Sequence, residues 1–289
     1  MHRFLSFGVV PALLIAVQPA RTQEVAQKKI TRSEAQTNAP SKSSSSAWEK
    51  LVMQPFHDDK GQVMVEVPLP VSWKIAKNPK RGEPRIVGPN NIKVIDFPAQ
   101  NFIYTRDPQL QRTYKQAGQR LRPAPSIQDL IQQDLVPWAI EQGLTLVKHY
   151  EIPEITRIDK WHNDQLYKAV PMESDVVAVG IDWKHQETGH KFFMILHRLA
   201  SQSAQMQTWY YYYSGLQAGK DHFDTARKQL IFALSNARYN LDQIADYNRS
   251  EAEKAGKSWA AHNERLAQNQ AAFQVSELLS IAAPLPTKL

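Results

Sequence analysis

The 289-residue chain contains no cysteine. Disulfides, thiol catalysis and cysteine-based metal sites are therefore excluded, and any folded domain depends on packing alone. Glycine is scarce, at 11 residues, and no glycine-rich phosphate loop, GxSxG or SxxK motif occurs. These absences weaken the case for an enzyme without removing it, and the sequence predicts neither a catalytic residue nor a cofactor.

The apolar stretch near the N terminus is too short to span a bilayer. Residues 7–17 form a run of about eleven residues, whereas a membrane-spanning helix needs roughly 20. Arg3 precedes the run and Ala20 follows it, a pattern typical of an export signal over residues 1–20. We expect an exported protein, periplasmic or secreted, with no transmembrane span once the signal is removed.

The chain also lacks a dense stripe of lysine and arginine. Of the net charge of +7, residues 1–47 carry +4, from six basic and two acidic side chains. The other 242 residues therefore carry only +3, too little to indicate a surface for nucleic acid. A protein partner or an envelope component fits this composition better.

Composition divides the chain into four segments. Residues 21–47 are polar and end in SKSSSS, so after the signal we expect a disordered serine-rich leader. Residues 48–240 contain the apolar patterns of an α+β domain. Residues 241–289 contain a long helix with no proline before residue 284, followed by a C-terminal tail.

Strand candidates dominate the central domain and are joined by short turn-like connections, which favours an antiparallel sheet. They cover residues 62–67, 92–97, 101–105, 144–150, 165–170, 175–183, 192–199 and 206–214. One amphipathic helix is predicted to start after Ser126, to kink at Pro137 and to end before Gly143. A second is predicted over residues 221–237.

The long C-terminal helix carries one apolar row at heptad spacing and a second row that is half polar. The apolar row is Ala245, Ala252, Trp259, Leu266 and Phe273. This pattern suits a helix docked on its own domain, and a weak coiled coil between copies remains the alternative.

The string Trp209 to Tyr213 is the most unusual local feature. In a strand it places aromatic rings on both faces. A central strand covered on both sides explains this, and an aromatic surface for a glycan, peptide or apolar ligand is the alternative.

Several histidines lie beside carboxylates, but none has a diagnostic spacing. The candidate metal ligands are Asp182, His185 and His190, which surround a predicted turn. A metal-assisted or acid–base site built from such clusters is the basis of the enzyme hypothesis below.

The order of elements resembles the PsbP/Mog1-like domains, a group that includes exported proteins similar to the DcrB family. The resemblance rests on a strand that leads into the corner Pro70 to Trp73, an antiparallel meander, and the late helix FDTARKQLIFALSNARYN. It covers residues 62–240 and implies an antiparallel sheet packed between helices, used as a binding or accessory module. The long helix after Leu241 would be an extension of such a domain.

Two functions from different classes follow. The first is an exported non-catalytic binding or accessory module of the cell envelope, with self-association through the C-terminal helix as a possible addition. It predicts no buried titratable cluster in a cleft, so a histidine and a carboxylate meeting within about 3 Å in a pocket would count strongly against it. The second is an exported hydrolase, metal-assisted or not, that uses the histidine and aspartate clusters.

Overall fold

The computed structural model describes residues 48–58, 60–77 and 79–282. The predicted signal, leader and residues 283–289 of the tail lie outside these described residues. Among them, a compact unit spans Trp48–Asn248, and the remainder of the C-terminal helix belongs to a second unit. No helix in the described part is both long and apolar enough to cross a membrane.

The described residues form ten strands and six α-helices. The strands are β1 Leu51–His57, β2 Val63–Pro70, β3 Lys74–Ile75, β4 Ile86–Gly88, β5 Ile92–Tyr104, β6 Leu144–Glu151, β7 Glu173–His185, β8 Lys191–Gln202, β9 Gln207–Gln217 and β10 Arg238–Tyr239. The helices are α1 Pro108–Gln116, α2 Ile127–Leu130, α3 Val136–Glu141, α4 Pro153–Gln165, α5 Phe223–Ser235 and α6 Leu241–Ala282.

The main sheet has seven antiparallel strands in the order β3-β4-β5-β9-β8-β7-β6, and β1, β2 and β10 form a smaller sheet. Helices α4 and α5 and the small sheet cover one face of the main sheet, where Phe193, Ile195 and Leu216 are buried. Helices α2 and α3 cover the other face over Met194, Leu196 and Trp209. The predicted α+β class, with an antiparallel sheet between helices and a long C-terminal helix, is confirmed.

The aromatic string lies in β9, near the centre of this sheet. Trp209 is fully buried and Tyr211 is 7% exposed on one face, while Tyr210 and Tyr212 point to the other and remain half-buried. Coverage of this face by helices α2 and α3 therefore accounts for Trp209 and Tyr211. Tyr210 and Tyr212 line a cleft that is described below.

The helix after Ser126 begins as predicted, because the Ser126 hydroxyl accepts a hydrogen bond from the Asp129 amide at 3.1 Å. Its course differs near Pro137. A π-helical segment, Ile131–Leu135, separates α2 from α3. Proline has no amide hydrogen to donate, and its ring clashes with the carbonyl four residues earlier. The wider turn of the π-helical segment accommodates the ring and the missing hydrogen bond.

The predicted strand at residues 165–170 is wrong. Helix α4, Pro153–Gln165, has Pro153 in its first turn and ends where the strand was expected to begin, and residues 166–170 form bends and loop rather than a strand. Periodicity did not reveal this helix, because its buried residues include the polar Asn163 besides Ile155. A helix that buries polar groups lacks the apolar stripe by which amphipathic helices are recognised.

Strand β2 extends through Pro68 to Pro70, beyond the predicted end at residue 67. Strand β10 pairs with β2 only at Glu66 and Val65, so both prolines lie where one side of β2 has no partner strand. A missing amide hydrogen costs no ladder bond at such an edge.

Candidate functional site

A small cleft lies between α4 and one face of strands β8 and β9. Its free volume is about 30 Å³, room for about two water molecules. The side chains that give it chemical character are Asp159, His162, Asn163, His197, Tyr210, Tyr212 and Tyr239. We call it the histidine–tyrosine cleft.

Helix α4 supplies three of these side chains from one of its faces. His162 and Asn163 lie three and four positions after Asp159, the spacing that places their side chains beside it on a helix. The helix is held against β7 by backbone groups, since the Ile152 amide donates to the Ala178 carbonyl and the Ala178 amide donates to Thr156 Oγ1, both at 2.9 Å.

The sheet supplies the opposite wall. His197 of β8 lies directly across from Tyr212 of β9 in the strand register. Their rings stack with centroids 4.5 Å apart and planes 6° from parallel. Tyr210, two residues earlier on the same face, stacks on Tyr212 with a centroid distance of 6.3 Å. Register thus creates the aromatic wall, because residues two apart on a strand share a face.

A histidine–aspartate pair bridges the two walls. His197 Nδ1 and Asp159 Oδ2 are 2.6 Å apart, and the two side chains are only 10% and 14% exposed. Hydrogen bonds to a carboxylate in such sheltered surroundings are shorter and stronger than those between neutral groups. The pair fixes the orientation of the imidazole, which the Tyr212 ring also holds from one side.

His162 and the three tyrosines of the cleft are held neutral at pH 7. His162 stacks on Tyr239 at 4.1 Å, and burial lowers the pKa of His162 to about 4 despite the opposing effect of Asp159. Burial raises the pKa of Tyr210, Tyr212 and Tyr239, and the nearby Asp159 carboxylate adds to the rise. Desolvation disfavours the charged form in each case.

Asn163 provides a donor that the described protein does not use. The residue is 7% exposed, and its Nδ2 is buried without a hydrogen-bond partner. An unsatisfied buried donor costs roughly 1–3 kcal/mol. Asn163 lines the cleft, although its Nδ2 is itself covered by protein.

The cleft contradicts one expectation drawn from the sequence. The hypothesis of a non-catalytic module predicts that no histidine and carboxylate meet in a pocket. His197 and Asp159 nevertheless lie 2.6 Å apart in the cleft. That part of the prediction is wrong. The sequence offered no local signal for the pair, because its members are 38 positions apart and meet only when α4 packs on β8.

The predicted metal ligands are not brought together. No group of three or more histidine, aspartate or glutamate side chains in the described part of the chain is placed to hold a metal ion. The Asp182 carboxylate accepts hydrogen bonds from Arg227 at 3.0 and 3.1 Å. His185 and His190 flank the β7–β8 turn, where His185 Nδ1 accepts from the Thr188 amide at 3.3 Å.

Comparison with known proteins identifies no family. No protein-family model matches the chain, and no curated protein matches it. Among solved structures, the solution structure of cyanobacterial PsbP (CyanoP) from Synechocystis sp. PCC 6803 is similar, with 12% sequence identity and a TM-score of 0.32. The match covers 70% of this chain and 100% of that one.

Proposed function

We propose that the chain is an exported binding module of the cell envelope, and that the histidine–tyrosine cleft is its ligand site. Export is supported by the pattern of residues 1–20, with a basic start and a short apolar run. Binding is supported above all by the sheltered His197–Asp159 pair between the aromatic walls of the cleft, with the unpartnered Nδ2 of the lining residue Asn163 as a second observation.

The energetic argument for a ligand starts from that donor. Native proteins pair most buried polar groups, so a buried donor without a partner indicates a missing partner. The cleft has room for about two water-sized groups, and Asn163 is one of its lining residues. A small rotation of the Asn163 side chain would turn Nδ2 toward this space, where a polar group of a ligand accepts the hydrogen bond that folding leaves unmade.

Nuclear magnetic resonance of the Asn163 side-chain amide tests the binding proposal. The probes are acetate, ammonium, glycerol and glucose, added separately at millimolar concentrations. We expect at least one probe to shift the Asn163 signals while leaving those of the exposed Asn236 in place. If no probe moves the Asn163 signals, the proposal is overturned.

Export requires a separate experiment. The full chain is produced in a bacterium, and the mass of the protein recovered from the periplasm or medium is determined. We expect a chain that lacks about the first 20 residues. Recovery of only uncleaved protein from the cytoplasm would contradict export.

The His197–Asp159 pair supports a second candidate, a hydrolase that activates water. A carboxylate that orients an imidazole is the arrangement of a general base. The phenols of the cleft are poor nucleophiles because their raised pKa keeps them protonated, which leaves water as the attacking group.

Chromogenic esters, phosphates and glycosides test this second candidate. An enzyme that uses the pair would lose about 10² to 10⁴ of its rate in His197→Gln. His149→Gln serves as the control, since that histidine lies outside the cleft. Equal rates in both variants and the parent protein would exclude catalysis by His197.

A further inference from the structure

A basic surface lies at one edge of the main sheet, outside the histidine–tyrosine cleft. Residues 74–93 carry a net charge of +5, whereas the whole folded unit, residues 48–248, carries +2. The segment forms β3, β4, the loop between them and the start of β5. We call it the β3–β4 hairpin surface. Its exposed cations are Lys74, Lys77, Lys80, Arg81 and Lys93.

Strand register places part of this charge in one row. Lys74 of β3 lies directly across from Val87 of β4, and Val87 lies directly across from Lys93 of β5. Partners of this kind have β-carbons about 5 Å apart and share a sheet face. Ile86 points to the opposite face and is buried, whereas Val87 is 38% exposed. The row therefore presents an apolar side chain between two cations to solvent.

The loop of the hairpin adds Lys77, Lys80 and Arg81. The chain turns back between Lys80 and Glu83, where the Glu83 amide donates to the Lys80 carbonyl at 3.0 Å. Glu83 supplies the one carboxylate of residues 74–93, and this group accepts a hydrogen bond from the Lys80 amide at 2.7 Å. It stabilises the turn and leaves the side-chain cations of the loop exposed.

None of the five exposed cations forms an ion pair with a described carboxylate. Other surface lysines do, since Lys160 lies 3.2 Å from Asp164 and Lys191 lies 3.0 Å from Asp224. Lysine often protects an exposed sheet edge, which accounts for the position on β3 alone. The other four cations lie on the loop and on β5, which has partner strands on both sides. Their charge is available to an anionic partner.

The composition of the surface favours a lipid partner over a protein. Residues 74–93 contain no aromatic residue, and four of the five exposed cations are lysines. Protein interfaces are enriched in aromatic residues and arginine and depleted in lysine. A cluster of about four to eight basic side chains is typical of surfaces that bind anionic lipid headgroups, whose charge is spread over the bilayer.

We propose that the β3–β4 hairpin surface attaches the protein to an anionic phospholipid bilayer. The cations lie among the headgroups, and Val87 contacts the boundary between headgroups and acyl chains. The attachment is peripheral and uses no residue of the cleft. It therefore adds a membrane contact to the proposed binding function and does not depend on it.

Co-sedimentation of the full chain with lipid vesicles tests the proposal. One set of vesicles is phosphatidylcholine, and the other contains about 30% phosphatidylglycerol. We expect binding to the second set to be stronger, and to weaken when the salt concentration rises from about 50 to 300 mM, because salt screens exposed charges. Polyglutamate, added at the same charge concentration, represents an acidic protein.

Two double variants locate the attachment on the hairpin. Lys74→Gln/Lys93→Gln and Lys80→Gln/Arg81→Gln each remove two positive charges. Each is expected to weaken vesicle binding about tenfold to 30-fold, because one cation near an anionic surface contributes about 1 kcal/mol. Lys74→Arg/Lys93→Arg keeps both charges and should bind as the parent protein does. Residues 1–47 are the same in every variant, so their charge does not affect the comparison.

Arg112→Gln/Lys115→Gln is the matched control. These two exposed cations belong to α1, in the second basic stretch of the folded unit, residues 106–122, which carries +4. Helix α1 follows the far end of β5, roughly 35 Å from Lys93 at the rise of a strand. The control removes the same charge from the opposite end of the sheet and should leave vesicle binding unchanged.

Four outcomes would overturn the proposal. They are equal binding to both sets of vesicles, no binding to either, equal losses in the hairpin variants and the control, and hairpin-dependent binding of polyglutamate without binding of vesicles. The last would assign the surface to an acidic protein. None of them changes the Asn163 resonances, so the ligand function of the cleft is judged separately.

Discussion

Replacement of Asn163 by leucine provides the strictest test of the cleft. The side chain is 7% exposed and its Nδ2 is buried without a partner. Leucine removes the unsatisfied donor, whose burial costs roughly 1–3 kcal/mol. It also has a higher helix propensity by a few tenths of a kcal/mol, and Asn163 lies in the last turn of α4.

The expected result is a more stable protein. The free volume of about 30 Å³ beside residue 163 accepts the larger side chain with little strain, so we expect Asn163→Leu to raise the free energy of unfolding by about 1–2 kcal/mol. For a domain of this size, that corresponds to an increase in Tm of about 3–6 °C. Urea denaturation and calorimetry measure both quantities.

Asn163→Asp is the paired variant. It places a second carboxylate four residues from Asp159 on the same buried helix face, so we expect destabilisation at pH 7 that diminishes as acid protonates the carboxylates. A loss of more than about 1 kcal/mol in Asn163→Leu would refute the reasoning. It would mean that Nδ2 already makes a structural hydrogen bond and is not a spare donor.

Three further predictions concern stability and assembly. Because the pKa of His162 is lowered to about 4, the unfolded chain binds more protons than the folded one between about pH 6.5 and 4, so stability falls as the pH falls through this window. His162→Phe should remove this dependence, measured by denaturation across the range, and an unchanged slope would contradict the burial argument. Gly215→Ala should destabilise by about 1–3 kcal/mol in urea, because the added carbon would lie 2.4 Å from the ring of Phe192. The control Gly256→Ala, with nothing within 4 Å, should not destabilise. Deletion of residues 249–289 should leave the unit Trp48–Asn248 folded by near-ultraviolet circular dichroism. If α6 mediates self-association, sedimentation will show a larger species only for the full chain, and a monomer in both would exclude that role.

Much of the architecture could be predicted because it depends on local patterns. The apolar and aromatic runs of β7, β8 and β9 identify strands, and the cap at Ser126 and the helix after Phe223 occur as expected. Helix α4 could not be predicted in the same way. Its inner face carries Asp159 and Asn163, which are polar, so the apolar period that reveals a buried helix is interrupted.

The candidate site could not be predicted for a related reason. The histidine–carboxylate pairs that are close in sequence, such as Asp182 and His185, do not share a site in the structure, and Asp182 is occupied by Arg227. The pair that does meet, His197 and Asp159, comes from a strand and a helix. Proximity along the chain therefore indicated that histidine and aspartate form the site, but it selected the wrong histidines and the wrong aspartate.

The sequence by itself determined the class of fold and the chemistry that is excluded. The absence of cysteine excludes thiol chemistry and disulfides, and alternation with short turns specifies an antiparallel α+β domain, because these properties depend on composition and on neighbouring residues. Only the tertiary structure decided which polar side chains are buried together. Packing of α4 onto β8 and β9 joins Asp159, His197 and Asn163 across long separations, and burial then sets their hydrogen bonding and the pKa of the neighbouring His162.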